Sequence, residues 1–185
     1  MLKVLILGGY GVFGGRLAEL LFDIPEIELV ICGRNLSYAE AFCASYSGQA
    51  RVRPFKLARR EIVEGLRAQN PDLVVDASGP FQDYGAERYN VIEACIAAGI
   101  DYLDFADAAD FVYGVAQFDA QAKTAGVFVL SGVSSFPVLT AAVLREMAKT
   151  MDIVAVEGGI APSPYAGIGL NVMRAVVGYA GAPVK

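Results

Sequence analysis

The chain contains no histidine and no tryptophan. Without histidine, residues 1–185 cannot supply a Ser-His-Asp triad, a Cys-His dyad or a histidine-ligated metal. Cysteine is scarce as well. Cys32, Cys43 and Cys95 fall at spacings that match no metal motif. An odd, scattered set points to reduced, buried thiols and a cytoplasmic home rather than a disulfide framework. Charge is thin, at 19% of residues against 55% hydrophobic, a balance that excludes disorder. Positive charge is the minority sign: 15 bases against 20 acids leave a net charge of −5. Such a surface has no general attraction for nucleic acid or anionic lipid, so neither is an expected partner.

Long apolar runs are also missing. Met1, Leu2 and Lys3 lead into a short apolar run that ends in glycines, too brief for a signal peptide. Residues 124–144 carry no charge and are long enough to cross a bilayer. However, Gly126, Ser131, Gly132, Ser134, Ser135 and Pro137 break that stretch into a short strand, a turn and a helix start. Residues 158–173, with Pro162 and Pro164, read as a strand end and a loop. No membrane span is expected.

What the chain has is alternation. Apolar, β-rich runs at residues 3–7, 27–31, 52–57, 72–76, 100–105, 127–130 and 153–159 predict strands. Helix-period segments at 12–22, 37–46, 60–69, 87–98, 109–125 and 137–150 lie between them, and Ser37 and Glu40 are spaced as a capping box. Strand–helix alternation of this kind predicts an α/β fold, a doubly wound, mostly parallel sheet with helices on both faces. Residues 1–150 suffice for a complete dinucleotide-binding domain. Residues 151–185, ending in a possible helix over 169–179, are expected to open a second, incomplete α+β domain.

Gly9-Tyr10-Gly11-Val12-Phe13-Gly14 is a G-x-G-x-x-G sequence between the first strand and the first helix. In that context Gly9 permits a tight turn, Gly11 admits a pyrophosphate to the backbone, and Gly14 lets helix and strand pack closely. The helix N-terminus adds amide donors and partial positive charge. The end of the second strand, Val30-Ile31-Cys32-Gly33-Arg34-Asn35, lacks the acid that an NAD or FAD site places on the ribose. Arg34 stands where a 2′-phosphate would sit, a guanidinium suits a phosphate, and Asn35 can add a hydrogen bond. NADP is therefore the favoured cofactor, with NAD the other candidate. After the fourth strand, Ser78 and Gly79 can contact the cofactor and Phe81 can flank its nicotinamide, unless Asp76–Phe81 is a plain loop. Residues 131–137 could border the nicotinamide or simply start a helix capped by Ser135.

The sequence from Gly8 to Gly14, Cys32-Gly33-Arg34-Asn35, and Gly79-Pro80-Phe81 with Tyr84-Gly85 resembles saccharopine dehydrogenase-like proteins. Ala94-Cys95, Ala98-Gly99, Asp101-Tyr102-Leu103-Asp104 and Gly132 to Pro137 extend the resemblance over most of residues 1–150. It implies an N-terminal Rossmann domain, a C-terminal α+β domain, and hydride transfer at a C–N bond of a small amino-acid-like substrate. It places the diphosphate on Gly9, Tyr10, Gly11, Val12, Phe13 and Gly14, the adenosine ribose on Arg34 and Asn35, and the cofactor against Ser78, Gly79 and Pro80. Family members are usually about twice this length, so the chain reads as a cofactor domain whose substrate residues lie elsewhere. A homodimer through the second-domain surface is expected. A dinucleotide-binding sensor without catalysis, and an adaptor, are the alternatives.

Two further clusters stand apart. Asp101, Asp104, Asp107 and Asp110 recur every three residues around a strand end. A cationic group or hard metal would suit them, though solvation and a helix start at Asp110 are the simpler reading. Arg51, Arg53, Lys56, Arg59 and Arg60 form a basic stretch that could attract NADP, or be a solvated strand and turn. No Y-x-x-x-K pair is present, and no residue announces itself as the acid or base.

Overall fold

A computed structural model describes residues 1–134 and 138–158, together with 173, 174 and 177. Six parallel strands form the sheet: β1 (Leu2–Leu7), β2 (Ile27–Gly33), β3 (Arg51–Lys56), β4 (Leu73–Asp76), β5 (Asp101–Asp104) and β6 (Val129–Leu130). Their order is β3-β2-β1-β4-β5-β6. The direction of winding reverses between β1 and β4, where open α/β sheets bind ligands beyond the carboxyl ends of their strands.

The helices are α1 (Val12–Leu21), α2 (Leu36–Ala44), α3 (Ile62–Gln69), α4 (Asn90–Ala98), α5 (Ala109–Gly114), α6 (Asp119–Ala125) and α7 (Thr140–Met147). Central strands are apolar on both sides because helices cover both sides. Leu5, Leu7, Val30, Cys32 and Val74 pack with Ile62 and Leu66 of α3, Ile92 and Cys95 of α4, and Phe111 of α5. The alternate residues Val4, Ile6, Leu29, Ile31 and Val75 pack with Ala18 of α1 and Ala39 of α2 on the other face. Burial pushes the Cys32 and Cys95 thiols well above their ordinary range, so both stay protonated.

Several boundaries differ from the sequence expectation, each for a local reason. The cap of α2 is Asn35, whose side chain accepts the Ser37 N–H, so Ser37 is not the first residue of a capping box. The helix expected over 109–125 breaks after Gly114 into a 3₁₀ turn and then α6. There the Tyr89 hydroxyl donates to the Phe111 carbonyl at 3.1 Å and Gln117 Nε2 to that of Gly114 at 2.7 Å. The Val115 N–H turns to the Val112 and Tyr113 carbonyls, while Tyr89 takes up that of Phe111. Two 3₁₀ turns, Phe81–Asp83 and Gly85–Glu87, precede α4 and delay its start. The strand expected over 153–159 does not form across 153–158. Ser135, Pro137 and most of the helix expected over 169–179 lie outside the described residues. Among those residues no helix is long and apolar enough to cross a membrane.

The basic stretch has a sheet-edge explanation. β3 is an outer strand, and Pro54 with the charges of Arg51, Arg53 and Lys56 disfavours further pairing at its open edge. Arg53 also reaches over β2, where its Nε donates to Glu28 Oε1 at 2.6 Å. That hydrogen bond holds the buried Glu28 carboxyl below the usual carboxylate range. The lowered value stabilises the fold above the unfolded-state pKa, and the contribution is lost as pH falls through the folded-state value. Glu28→Gln is expected to cost about 1 kcal/mol at neutral pH, a surface-level figure because Arg53 is partly solvated. Thermal melts should show the gap from the parent protein closing as pH falls from neutrality through and below the ordinary carboxylate range.

Candidate dinucleotide-binding site

At the end of β1 the chain turns at Gly8, whose φ of +72° lies in the left-handed region. A Cβ there would sit 2.7 Å from the Ala77 carbonyl oxygen, so the β1 turn meets the loop after β4 backbone to backbone. The tight turn expected at Gly9 is thus made by Gly8. Gly9 is constrained by space, since its Cβ would lie 2.9 Å from the Ile6 carbonyl oxygen. A Cβ on Gly14 would drive into the Gly8 carbonyl, and that closeness sets the first turn of α1 against the loop. Gly11 caps α1 without a side chain, and the first helical turn holds no acid. The amides of Val12 and Phe13 therefore face outward with no side-chain acceptor, at the positive end of the helix dipole. The Val12 and Phe13 side chains are 56% and 55% exposed.

Across the crevice, β4 ends in Asp76, which is fully buried. Its Oδ1 accepts the Ser78 N–H at 3.0 Å and the Ser78 hydroxyl at 2.5 Å. Its Oδ2 lies 3.3 Å from Arg59 Nε. The Arg59 guanidinium sits 3.7 Å from the Tyr84 ring centroid and donates to the Arg88 carbonyl at 3.0 Å. The Tyr84 hydroxyl is 2.9 Å from Ser78 Oγ. The Ser78 proton is spent on Asp76, so Tyr84 is the donor. Burial, reinforced by the Asp76 charge, pushes the Tyr84 phenol above its ordinary range and keeps it protonated.

This network changes two expectations. The Ser78 hydroxyl is committed inside the protein, leaving Ser78, Gly79 and Pro80 to line the crevice mainly with backbone. Phe81 does not flank an open nicotinamide position. It is 5% exposed, with ring centroids of Tyr84 at 5.2 Å and Phe111 at 4.9 Å, because the 3₁₀ turn beginning at Phe81 rolls its ring into the core. Arg59 is no part of a solvated basic run. The signal for Asp76 was present: an acid closing an apolar strand must find a partner.

At the end of β2, Arg34 is exposed. Asn35 lies beside it with its side-chain oxygen engaged by Ser37, at 3.0 Å from the amide and 2.7 Å from the hydroxyl. The Asn35 N–H donates to the Tyr10 hydroxyl at 3.1 Å, which ties this turn to the glycine turn. The four spaced aspartates do not converge. Asp104 is fully buried and accepts from Tyr102, Ser131 and the amides of Ala106 and Gly132, at 2.8 to 3.0 Å. Burial nonetheless raises its carboxyl above the usual range. Asp101 accepts the Phe128 amide, Asp107 accepts from Gln82, and Asp110 sits in the first turn of α5.

A parallel sheet ordered 3-2-1-4-5-6, with a glycine turn and open helix amides at its reversal point, defines a Rossmann-type dinucleotide-binding domain. The family described as saccharopine dehydrogenase NADP binding domain matches residues 4–130, and the chain belongs to it. Carboxyaminopropylagmatine dehydrogenase from Synechocystis sp. is 27% identical over 150 residues, covering 76% of this chain and 36% of the relative. The chain therefore spans about a third of the length of that curated relative. Among solved structures, saccharopine dehydrogenase (L-Glu forming) from Saccharomyces cerevisiae superposes with a TM-score of 0.62 at 16% identity, over 80% of this chain and 32% of that one. An NAD binding oxidoreductase from Klebsiella pneumoniae gives 0.52 at 21% identity, over 83% and 40%. At these identities the structures share the fold.

The buried pair is expected to dominate local stability. Asp76→Asn leaves the Arg59 charge inside without its partner and should cost about 3 kcal/mol or more in chemical denaturation. Tyr84→Phe, which removes one internal hydrogen bond and keeps the ring under Arg59, should cost about 1 kcal/mol.

Proposed function

We propose that this chain is the cofactor-binding part of an NADP-dependent oxidoreductase that moves hydride at a C–N bond of a small amino-acid-like substrate. The observation that carries the reading is the pairing of two anion-receptive places on one sheet edge. One is the uncapped first turn of α1. The other is the end of β2, where Arg34 stands and residues 30–39 contain no acid. The glycine cradle leaves room where Cβ atoms would otherwise block a diphosphate, so the residues fit a dinucleotide.

In this reading the amides of Tyr10 to Gly14 hold the diphosphate, and Arg34 with Asn35 takes the adenosine side. The backbone of Ser78, Gly79 and Pro80 borders the nicotinamide half, and Phe81 supports that loop from within. When bound, the nicotinamide supplies or accepts the hydride. The protein's own part is to grip the phosphates, exclude water along the crevice and fix which ring face meets the substrate. The two relatives named as dehydrogenases support this class of chemistry. In the same reading residues 1–150 are the cofactor domain and residues 151–185 open a substrate and dimerisation domain. Exposed Val143 and Met147 on α7, at the end of the cofactor domain, are consistent with an association face beside it.

Fluorescence titration with NADPH and NADH tests the proposal. NADPH is expected to bind more tightly, and Arg34→Ala should weaken NADPH about tenfold or more while changing NADH little. Binding of neither dinucleotide would overturn it. NADPH binding without amine-dependent turnover in the whole protein would favour a sensor over an enzyme.

A further inference from the structure

We infer that the Tyr10 hydroxyl is a second ligand for the phosphate that distinguishes NADP from NAD, working beside Arg34. The inference rests on the NADP reading above and gives the Tyr10 hydroxyl a role separate from the diphosphate grip of its amide.

Tyr10 is half-buried, and its ring lies flat over a residue with no side chain. A Cβ built on Gly33 would fall inside contact distance of the Tyr10 ring atoms and hydroxyl, so the ring can rest there only because residue 33 is glycine. The Tyr38 ring, from the first turn of α2, stands edge-on at a centroid distance of 6.0 Å. Between these neighbours the phenol oxygen reaches the β2–α2 turn and accepts the Asn35 N–H at 3.1 Å. The hydroxyl is thereby carried from the first strand's turn to the second strand's end, next to Arg34.

A phenol has one proton to give as well as lone pairs to offer. The Asn35 amide occupies a lone pair. Among the described residues nothing accepts the phenol's proton, and the Asn35 side-chain oxygen is taken by Ser37. A hydroxyl that already accepts a hydrogen bond is polarised into a stronger donor. Arg34 likewise has no ion-pair partner among the described residues. Two unspent donor groups, one cationic and one neutral, thus belong to the same turn at the end of β2, where residues 30–39 contain no acid. A phosphate monoester, with about −1.5 to −2 charge and three acceptor oxygens, can satisfy both at once. A ribose hydroxyl offers a single oxygen and no charge. The phenol proton should therefore favour NADP selectively, whereas a diphosphate contact would serve both cofactors alike.

The test compares parent protein, Tyr10→Phe and Gly33→Ala by titration with NADPH, NADH, adenosine 2′,5′-bisphosphate and 5′-AMP, with thermal melts as the folding control. Tyr10→Phe keeps the ring over Gly33 and deletes only the hydroxyl. It should weaken NADPH and the 2′,5′-bisphosphate about tenfold, and NADH and 5′-AMP less than twofold. Gly33→Ala displaces the ring and should erase most of the same preference. Equal losses for both cofactors on Tyr10→Phe would return Tyr10 to the diphosphate grip and overturn the inference. So would an unchanged NADPH preference in a protein that still binds NADPH through Arg34. A parent protein with no preference for the 2′-phosphate would overturn the NADP reading itself, and the inference with it.

Discussion

A single buried carboxylate organises the cofactor edge of this sheet. Asp76 closes β4 at the reversal point, paired with Leu7 of β1 and shut off from solvent. A lone charge there would be prohibitive, so the chain brings partners to it from three directions. Arg59 arrives from the turn before α3, and Ser78 folds back from the following loop. Tyr84 lies under the guanidinium and completes the chain through Ser78. The loop that faces the glycine turn inherits its shape from this arrangement. Its Ser78 hydroxyl turns inward to Asp76.

The two ends of the proposed binding crevice are built by opposite means. At the diphosphate end, side chains are withheld: Gly8 touches the Ala77 backbone, Gly14 touches Gly8, and helix amides are left uncovered. At the adenosine end, side chains are supplied: Tyr10 spans from one turn to the other, Asn35 caps a helix, and Arg34 projects to solvent. Gly33 belongs to the second end by virtue of the first device, since its missing Cβ is the seat of the Tyr10 ring.

The sheet was legible because its information is local. Runs such as Val4 to Leu7 and Leu29 to Cys32 are apolar at every position, which only a strand covered on both faces tolerates. The glycine spacing likewise read correctly as a loop opening a helix, although the left-handed position falls one residue earlier, at Gly8. What the sequence did not disclose are contacts between residues far apart in it. Arg59 lay in a basic run, and nothing adjacent revealed Asp76 as its partner. Phe81 sat next to a crevice loop, and only the packing of Phe111 showed which way its ring turns. At the break after Gly114 the Phe111 carbonyl is met by Tyr89, from beyond α4 and β5. Periodicity reports which face of an element is apolar, not which distant donor will intercept its carbonyls.

The edge of the sheet beyond β5 is fastened differently from the rest. β6 has only two residues, so its ladder is short. The segment that follows is held instead by Asp104, which gathers the Ser131 hydroxyl and the Gly132 amide with one carboxylate oxygen, while Val133 bonds the Asp104 carbonyl. A strand held by its ladder frays one rung at a time. Here the bonds beyond the short ladder converge on one residue, through both its carboxylate and its carbonyl, so a single position in β5 fixes where the chain leaves the sheet. Asp104 thus does for the far edge of the sheet what a longer ladder does for its centre, with side-chain acceptors standing in for missing rungs.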